Sequence, residues 1–405
     1  MAPLRILHVT PYSGDAWAYG GIARLASTLT RDLARRGHAV TVCTTDACDR
    51  TTRLPAPATV GRPWRPWPPV RTDAGVVIRV FPNISNRLAY HQQLFLPRGL
   101  DRFLREHATD FDIAHLHACR NFPGAIAARH LRRAHVPFVL APNGTAPRLE
   151  RHLRAKRLYD SVIGDRILRD AARVIAVSQA EVAQLRALDV PSPSIAVLPN
   201  PVDLSEFDEP LTRGGFRGRF GLDARPVVLF LGKLTPRKRV DLLVQAIARI
   251  DQGDPTLVVA GNDMGSGAAV RAAVAAAGLQ ARVRFTGLLP GRERLQALAD
   301  ADVVVYPSEH EIFGLVPLES LLAGTPVVVA GDSGCGEIVR ATGGGQIVKA
   351  GDVMALADAI KVVIKDPVHW RGEAARAAAE VRNLFGNDAV CDRLVDLYRA
   401  ILSAT

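Results

Sequence analysis

Short apolar runs recur along the chain, separated by longer stretches in which apolar positions fall three and four apart. Runs of that length predict strands, and the intervening periodicity predicts amphipathic helices. In the first half, strands are predicted at Ile6–Thr10, Ala39–Thr44, Val76–Val80, Ile113–His117, Phe138–Ala141, Val174–Ser178 and Ile195–Leu198, with a helix over Ile22–Arg36. The second half repeats the alternation at Val227–Leu231, Thr256–Ala260, Val283–Thr286, Val303–Tyr306, Thr325–Ala330 and Gly345–Val348. This pattern predicts an α/β chain with two doubly wound parallel sheets rather than a bundle or an all-β fold.

The 405 residues exceed what one core normally supports, so two domains are expected. Their junction is placed after Pro199-Asn200-Pro201-Val202-Asp203, giving domains of residues 1–205 and 206–385. Residues 386–405 form an amphipathic terminal helix carrying Val390, Leu394, Leu397, Tyr398 and Leu402. The proline-rich stretch from Thr52 to Pro69, with Trp64 and Trp67, reads as a loop.

No apolar run approaches the roughly 18 to 20 residues that span a bilayer, and the N-terminus enters a strand directly, so a cytoplasmic protein is expected. Five scattered cysteines, Cys43, Cys48, Cys119, Cys335 and Cys391, fit neither a disulfide framework nor a zinc spacing. The net charge of +11 is uneven: residues 1–200 hold 28 Lys and Arg against 15 Asp and Glu, the remainder 23 against 25. Arginines concentrate between Arg148 and Arg173, beside Lys156 and interleaved with Leu149, Leu153, Leu158, Val162, Ile163, Ile167 and Leu168. Such a face suits an anionic membrane surface or a phosphate-bearing acceptor, and equally an arginine-rich solvated surface. No zinc-finger, RNP or basic-zipper pattern accompanies the charge, so nucleic acid is not an expected partner.

The chemistry concentrates in Tyr306 to Ala330, YPSEHEIFGLVPLESLLAGTPVVVA. Glu311 lies in a loop after a predicted strand, Gly314 opens a helix, and Glu319 falls one to two turns inside it. Backbone amides at a helix start favour an anion, and carboxylates suit hydroxyl-rich ligands. As isolated residues these glutamates would be ordinary surface acids. About 75 residues upstream, the strand Val227–Leu231 runs into Gly232-Lys233-Leu234-Thr235-Pro236-Arg237-Lys238, a strand, glycine and cation sequence that suits a phosphate-facing turn.

Together these segments resemble the retaining glycosyltransferases of family 4, with their Glu, seven residues, Glu signature. The match includes Pro307-Ser308, Phe313-Gly314-Leu315 and Gly324-Thr325-Pro326-Val327-Val328. The resemblance implies the two-domain GT-B architecture, with the acceptor on the N-terminal domain, the donor mainly on the C-terminal one, and a cleft that closes in turnover. It implies that Lys233 and Lys238 face the donor diphosphate, Lys233 standing where the family usually has Arg. Glu311 then binds the donor sugar and Glu319 the ribose, with Phe313, Gly314 and Leu315 lining the donor site. It also implies that the terminal helix crosses back onto the N-terminal domain.

In the N-terminal half, Gly20-Gly21 before a helix is by itself a plain loop entry; its position resembles the family's glycine-rich loop near the donor. His115 and His117 alternate onto one face of a strand, where two histidines could begin a metal site. No third ligand stands at a recognisable spacing, and no metal is expected. The resemblance makes His117 the one near the transferred sugar. Asn143, in Ala141-Pro142-Asn143-Gly144-Thr145, occupies a position that usually carries His, and Ser178 matches a strand-end serine that could equally cap the next helix. Both are acceptor-side or sugar-side expectations.

The function expected is transfer of a sugar from a nucleoside-diphosphate sugar, UDP- or GDP-linked, to an acceptor hydroxyl with retention. His117, Glu311 and Lys238 are the expected catalytic residues, no cofactor is needed, and no Asp-x-Asp metal motif is present. A glycan or polyprenyl-diphosphate acceptor in bacterial envelope or exopolysaccharide synthesis is the expected setting, with possible attachment to the inner face of the membrane. A glycoside hydrolase, a nucleotide-sugar epimerase and a non-catalytic bilobed binder are the alternatives; a hydrolase gives no reason for the phosphate-facing cations.

Overall fold

Strands such as Val227-Val228-Leu229-Phe230-Leu231 and Val303-Val304-Val305-Tyr306 are buried at every position. Parallel sheets covered by helices on both faces require this, because neither face meets water. The computed structural model describes residues 2–404 except 15, 17, 18, 20, 56–65, 148–152 and 252. The chain divides into two compact units, residues 1–201 with 387–405 and residues 202–386.

The first unit contains β1 (Arg5–Val9), β2 (Ala39–Thr45), β3 (Val70–Arg71), β4 (Val77–Phe81), β5 (Ile113–His117), β6 (Phe138–Ala141), β7 (Arg173–Ala176) and β8 (Ile195–Val197). Their order is β3-β4-β2-β1-β5-β6-β7-β8. All neighbours run parallel except β3, which lies antiparallel to β4. That two-residue edge strand follows the proline-rich stretch and was not anticipated; two residues are too few to show a period of two. One face packs Leu7, Leu116 and Leu140 with Leu104, Leu131 and Leu185. The other packs Ile6, Ile113, Val139 and Ile175 beneath Leu25, Leu29 and Leu33 and the terminal residues Val390, Leu394 and Tyr398.

The terminal helix is Asn387–Ser403, and residues 383–385 belong to the preceding helix Pro367–Phe385. It lies against the helix Gly21–Arg35. Arg36 just beyond that helix pairs with Asp388 at 2.9 Å and Asp392 at 3.1 Å, and Asn387 donates to Asp32 at 2.8 Å.

The second unit holds β9 (Val227–Leu231), β10 (Thr256–Ala260), β11 (Val283–Gly287), β12 (Val303–Tyr306), β13 (Val327–Ala330) and β14 (Gly345–Val348). Their order is β11-β10-β9-β12-β13-β14, all parallel. In both sheets the order reverses beside the first strand, between β1 and β5 and between β9 and β12. Loops leaving the carboxyl ends of such strands diverge to opposite faces and leave a crevice, the usual ligand position in open α/β sheets.

Candidate active site

The loops after β9 and β12 border the crevice of the second unit. Gly232 leaves β9 at φ 157°, and a Cβ on Gly261 would fall 1.8 Å from the Gly232 carbonyl oxygen, so the two backbones meet where no side chain fits. A 3-10 turn, Pro236–Lys238, follows, and Arg239 at φ 48° redirects the chain into the helix Val240–Ile247. Across the crevice the Glu309 amide donates to the Arg237 carbonyl at 2.9 Å, and Arg239 pairs with Glu309.

These contacts hold Lys238 against Glu311, with Nζ 2.5 Å from Oε2. Lys238 also donates to the Tyr306 hydroxyl and lies 4.3 Å from the centre of that ring. Burial alone pushes the Lys238 ammonium down, but Glu311 and Tyr306 together more than offset it, and the pKa stands above the ordinary lysine value. Half-buried Lys233 goes the other way, to about 8, through burial first and repulsion by Lys238 next.

Gly314 is the residue before the helix Leu315–Leu322, and no side chain caps that helix start. A Cβ on Gly314 would lie 2.5 Å from Cys335 Sγ. The Gly334 amide donates to the Glu311 carbonyl at 2.9 Å, so the start of the helix Gly334–Thr342 packs directly beneath the Glu311–Gly314 loop. Phe313 is half-buried, 5.9 Å from the Phe385 ring centre, and Leu315 is half-buried at the first helical position.

Glu319 is not grouped with this cluster by any bond described. Its side chain is 1% exposed and accepts from Arg294 at 3.1 Å, while Arg294 also bonds to Glu206 at 2.6 Å. An ordinary exposed helix acid would not be built this way; a buried carboxylate needs such a cation. Neither Arg294 nor Tyr306 was singled out from the sequence. Arg294 lies 25 positions from its partner, on a helix of ordinary amphipathic pattern.

In the first unit Gly21 is the exposed first residue of its helix, and Gly20 lies outside the described residues. Tyr12 and Tyr19, in the loop after β1, stack at 5.0 Å and pack on Phe95. His117 has no exposed surface, and its Nε2 lies 3.0 Å from His8 Nδ1. Burial lowers its pKa to about 3, so the ring is neutral at physiological pH. A contact with a sugar, as expected from the resemblance, is not open to a ring so enclosed.

Ser178 caps the helix Gln179–Arg186, its Oγ accepting from the Glu181 amide at 3.2 Å. Ser178 and Glu181 form the Ser-x-x-Glu capping pattern, a signal readable from the sequence that draws attention to a further residue. Glu181 is fully buried; its two oxygens accept from the Gly144 amide at 2.6 Å and the Val177 amide at 2.9 Å. Burial outweighs both bonds and pushes its pKa up to about 7. Asn143 stands at φ 51°, a left-handed conformation that asparagine tolerates better than most side chains, and its amide donates to the Ala141 carbonyl at 3.3 Å. Arg120 completes this loop, pairing with Asp160 at 2.8 Å and donating to the carbonyls of Thr145 and Ala146.

Residues 216–383 match the family model for glycosyl transferases group 1, and residues 19–206 that for glycosyltransferase family 4. The D-inositol 3-phosphate glycosyltransferase of Nocardiopsis dassonvillei is 30% identical, over 97% of this chain and 93% of its own length. The protein of the same name from Xylanimonas cellulosilytica is 34% identical over 58% of this chain and 59% of its own. Among solved structures, sucrose-phosphate synthase from Thermosynechococcus elongatus superposes with a TM-score of 0.78 at 24% identity, covering 99% of both chains. Anabaena Alr3699/HepE in complex with UDP-glucose gives 0.72 at 20% identity, covering 98% of this chain and 100% of that one. The two parallel-sheet α/β units are those of the GT-B fold, and the chain belongs to the group 1 and family 4 glycosyltransferases and is a transferase enzyme.

Proposed function

We propose that the enzyme moves a glycosyl group from a UDP- or GDP-sugar to an acceptor hydroxyl, with retention at the anomeric carbon. The observation that carries this reading is the packing of Lys238, Glu311 and Tyr306 beside Lys233 at the switch point of the second unit. A Lys233 ammonium that Lys238 depresses favours an anion beside both cations. A diphosphate supplies that charge, and its negative charge grows as the sugar leaves.

In this scheme Lys238, Lys233 and the amides of Gly314 and Leu315 stabilise the leaving diphosphate, and Glu311 orients the sugar hydroxyls. Glu319 takes ribose hydroxyls by yielding part of its bond to Arg294. His117 is assigned no sugar contact. Ser178 caps a helix and Asn143 shapes a loop, so their support for the acceptor side is indirect. The unit of residues 202–386 is the donor-binding one, and that of residues 1–201 with 387–405 the acceptor-binding one.

The acceptor reading is a phosphate-bearing molecule. On residues 153–169, Leu158 and Val162 are each 67% exposed among the exposed Arg154, Arg157, Arg166 and Arg169, which supports contact with an anionic surface and a polyprenyl-diphosphate or glycan acceptor in envelope synthesis. No helix among the described residues is long and apolar enough to cross a membrane, so attachment on the cytoplasmic face would be peripheral. The naming of the relatives favours a second reading, a soluble phosphorylated polyol acceptor.

A panel of nucleotide sugars scored for binding, hydrolysis and transfer, with the anomeric configuration of the product read by NMR, tests the proposal. One donor should be selected, its selection weakened in Glu319→Ala, and the product should keep the donor's configuration. Turnover without any nucleotide sugar, or an epimerised donor as the product, would reject it.

A further inference from the structure

The first unit contains a histidine cluster to which the proposed transfer scheme assigns no role. His8 on β1 is paired in register with His115 on β5, and His117 follows two positions later, so the three imidazoles stand on one face of the sheet. They are 0%, 2% and 0% exposed. One ring nitrogen from each lies within 4.8 Å of those of the other two. We propose that His8, His115 and His117 form a binding site for one divalent transition-metal ion of the zinc class, the three imidazoles being its protein ligands. This inference does not rest on the donor-site reading.

No protein group completes the hydrogen bonding of the cluster. Two neutral rings carry two N–H groups between them, and the 3.0 Å contact of His8 Nδ1 with His117 Nε2 uses one. The other falls on His8 Nε2 or His117 Nδ1, and both atoms are buried without a protein partner. Such a group costs about 1–3 kcal/mol. An ion between the facing nitrogens replaces the shared proton. Tetrahedral zinc with Zn–N of about 2.0–2.1 Å sets its ligand nitrogens roughly 3.4 Å apart, a small expansion of the observed contact.

The surroundings suit the metal-bound tautomers. His115 Nδ1 lies 2.7 Å from the Tyr398 hydroxyl; an N–H donated there leaves the lone pair on Nε2, which has no protein partner. His117 and Asn143 line one cavity of about 20 Å³, and Asn143 Oδ1 is likewise buried without a partner. That volume has room for about one water, which can accept from a metal-bound His117 and donate to Asn143. Burial keeps the rings neutral, the form that ligates.

The rings of His115 and His117 are stacked, 4.3 Å apart and 7° from parallel, so convergence on one ion needs a turn about Cβ–Cγ. The energy profile of that bond is broad. Three imidazoles with a fourth position open are a donor set that zinc accepts, and imidazole also suits nickel and copper. An ion there would tie β1 to β5, with Tyr398 of the terminal helix in its second layer.

The test uses the full-length, untagged protein, stripped with a chelator and titrated with Zn²⁺ against a chromophoric competitor. It is repeated with Co²⁺ for its visible d–d bands, and after refolding in the presence of each ion because the ligands are enclosed. One equivalent per chain is expected, with the absorption of a low-coordinate cobalt site and a higher melting temperature. His8→Gln and His117→Gln should each weaken binding by roughly two orders of magnitude or more, whereas His91→Gln, at an exposed histidine, should not. The wild-type stoichiometry decides the matter even if a variant fails to fold. Absence of saturable one-equivalent binding by either route, or binding unchanged in both variants, overturns the proposal.

Discussion

Lys238 and Glu311, 73 positions apart in sequence, meet at 2.5 Å where the loops after β9 and β12 cross the switch point of their sheet. Their side chains are 12% and 17% exposed, so each is the main counter-charge of the other in a partly desolvated crevice. A diphosphate arriving there competes for the Lys238 ammonium, which has three N–H donors and spends two of them on Glu311 and Tyr306.

Replacing Lys238 with Ala should cost about 2 to 4 kcal/mol of transition-state stabilisation, lowering kcat/KM by roughly 30-fold to 1,000-fold. Steady-state kinetics with the selected donor measure it. Unchanged turnover would remove Lys238 from the mechanism.

Tyr306→Phe keeps the ring beneath the ammonium and deletes only the hydroxyl. The loss should be about 1 to 1.5 kcal/mol, near tenfold in kcat/KM, with little change in melting temperature. A purely structural role for the hydroxyl would show the opposite split, with stability lost and kinetics intact.

Donor affinity should fall as pH rises through about 8. Lys233 has its pKa near 8 in the free protein, and a bound diphosphate must raise it, because the anion favours the charged ammonium. Binding is therefore strongest below pH 8 and weakens above it, by up to tenfold per pH unit. Calorimetric titration of the nucleoside diphosphate at pH 7 and pH 9 should show the drop for the wild type and a flatter dependence for Lys233→Gln. Equal slopes in the two proteins would assign the effect elsewhere.

The buried histidines should make the metal-free first unit acid-sensitive. His117 has a folded pKa of about 3 against 6.5 unfolded, and His8 and His115 are also held well below that value. Between those pH values the unfolded chain binds more protons, so stability is complete above about 6.5 and declines as pH falls. The slope is up to about 1.4 kcal/mol per pH unit for each ring. Urea unfolding between pH 7.5 and 5 should show the decline, reduced in a His8→Asn, His117→Asn double variant. A midpoint indifferent to pH over that range contradicts neutral burial.

The sequence by itself determined the elements and the chemistry of the donor loops. The four inner strands of the second sheet, β10, β9, β12 and β13, were legible because parallel strands buried on both faces are written as continuous apolar runs, and Gly232, Lys238, Glu311 and Gly314 stand in the loops that follow two of them. Tertiary structure decided the partners. Strand order brings β9 beside β12 and so Lys238 onto Glu311, and Arg294 onto Glu319 across two helices. It also brings β1 beside β5, setting His8 107 positions from the nearer of the two histidines it joins. Periodicity records which face of an element is buried and never which element covers it. That is why the fold, its motifs and the capping pattern at Ser178 could be read along the chain, while the burial of His117 and the left-handed turn at Asn143 became visible only once the elements had packed.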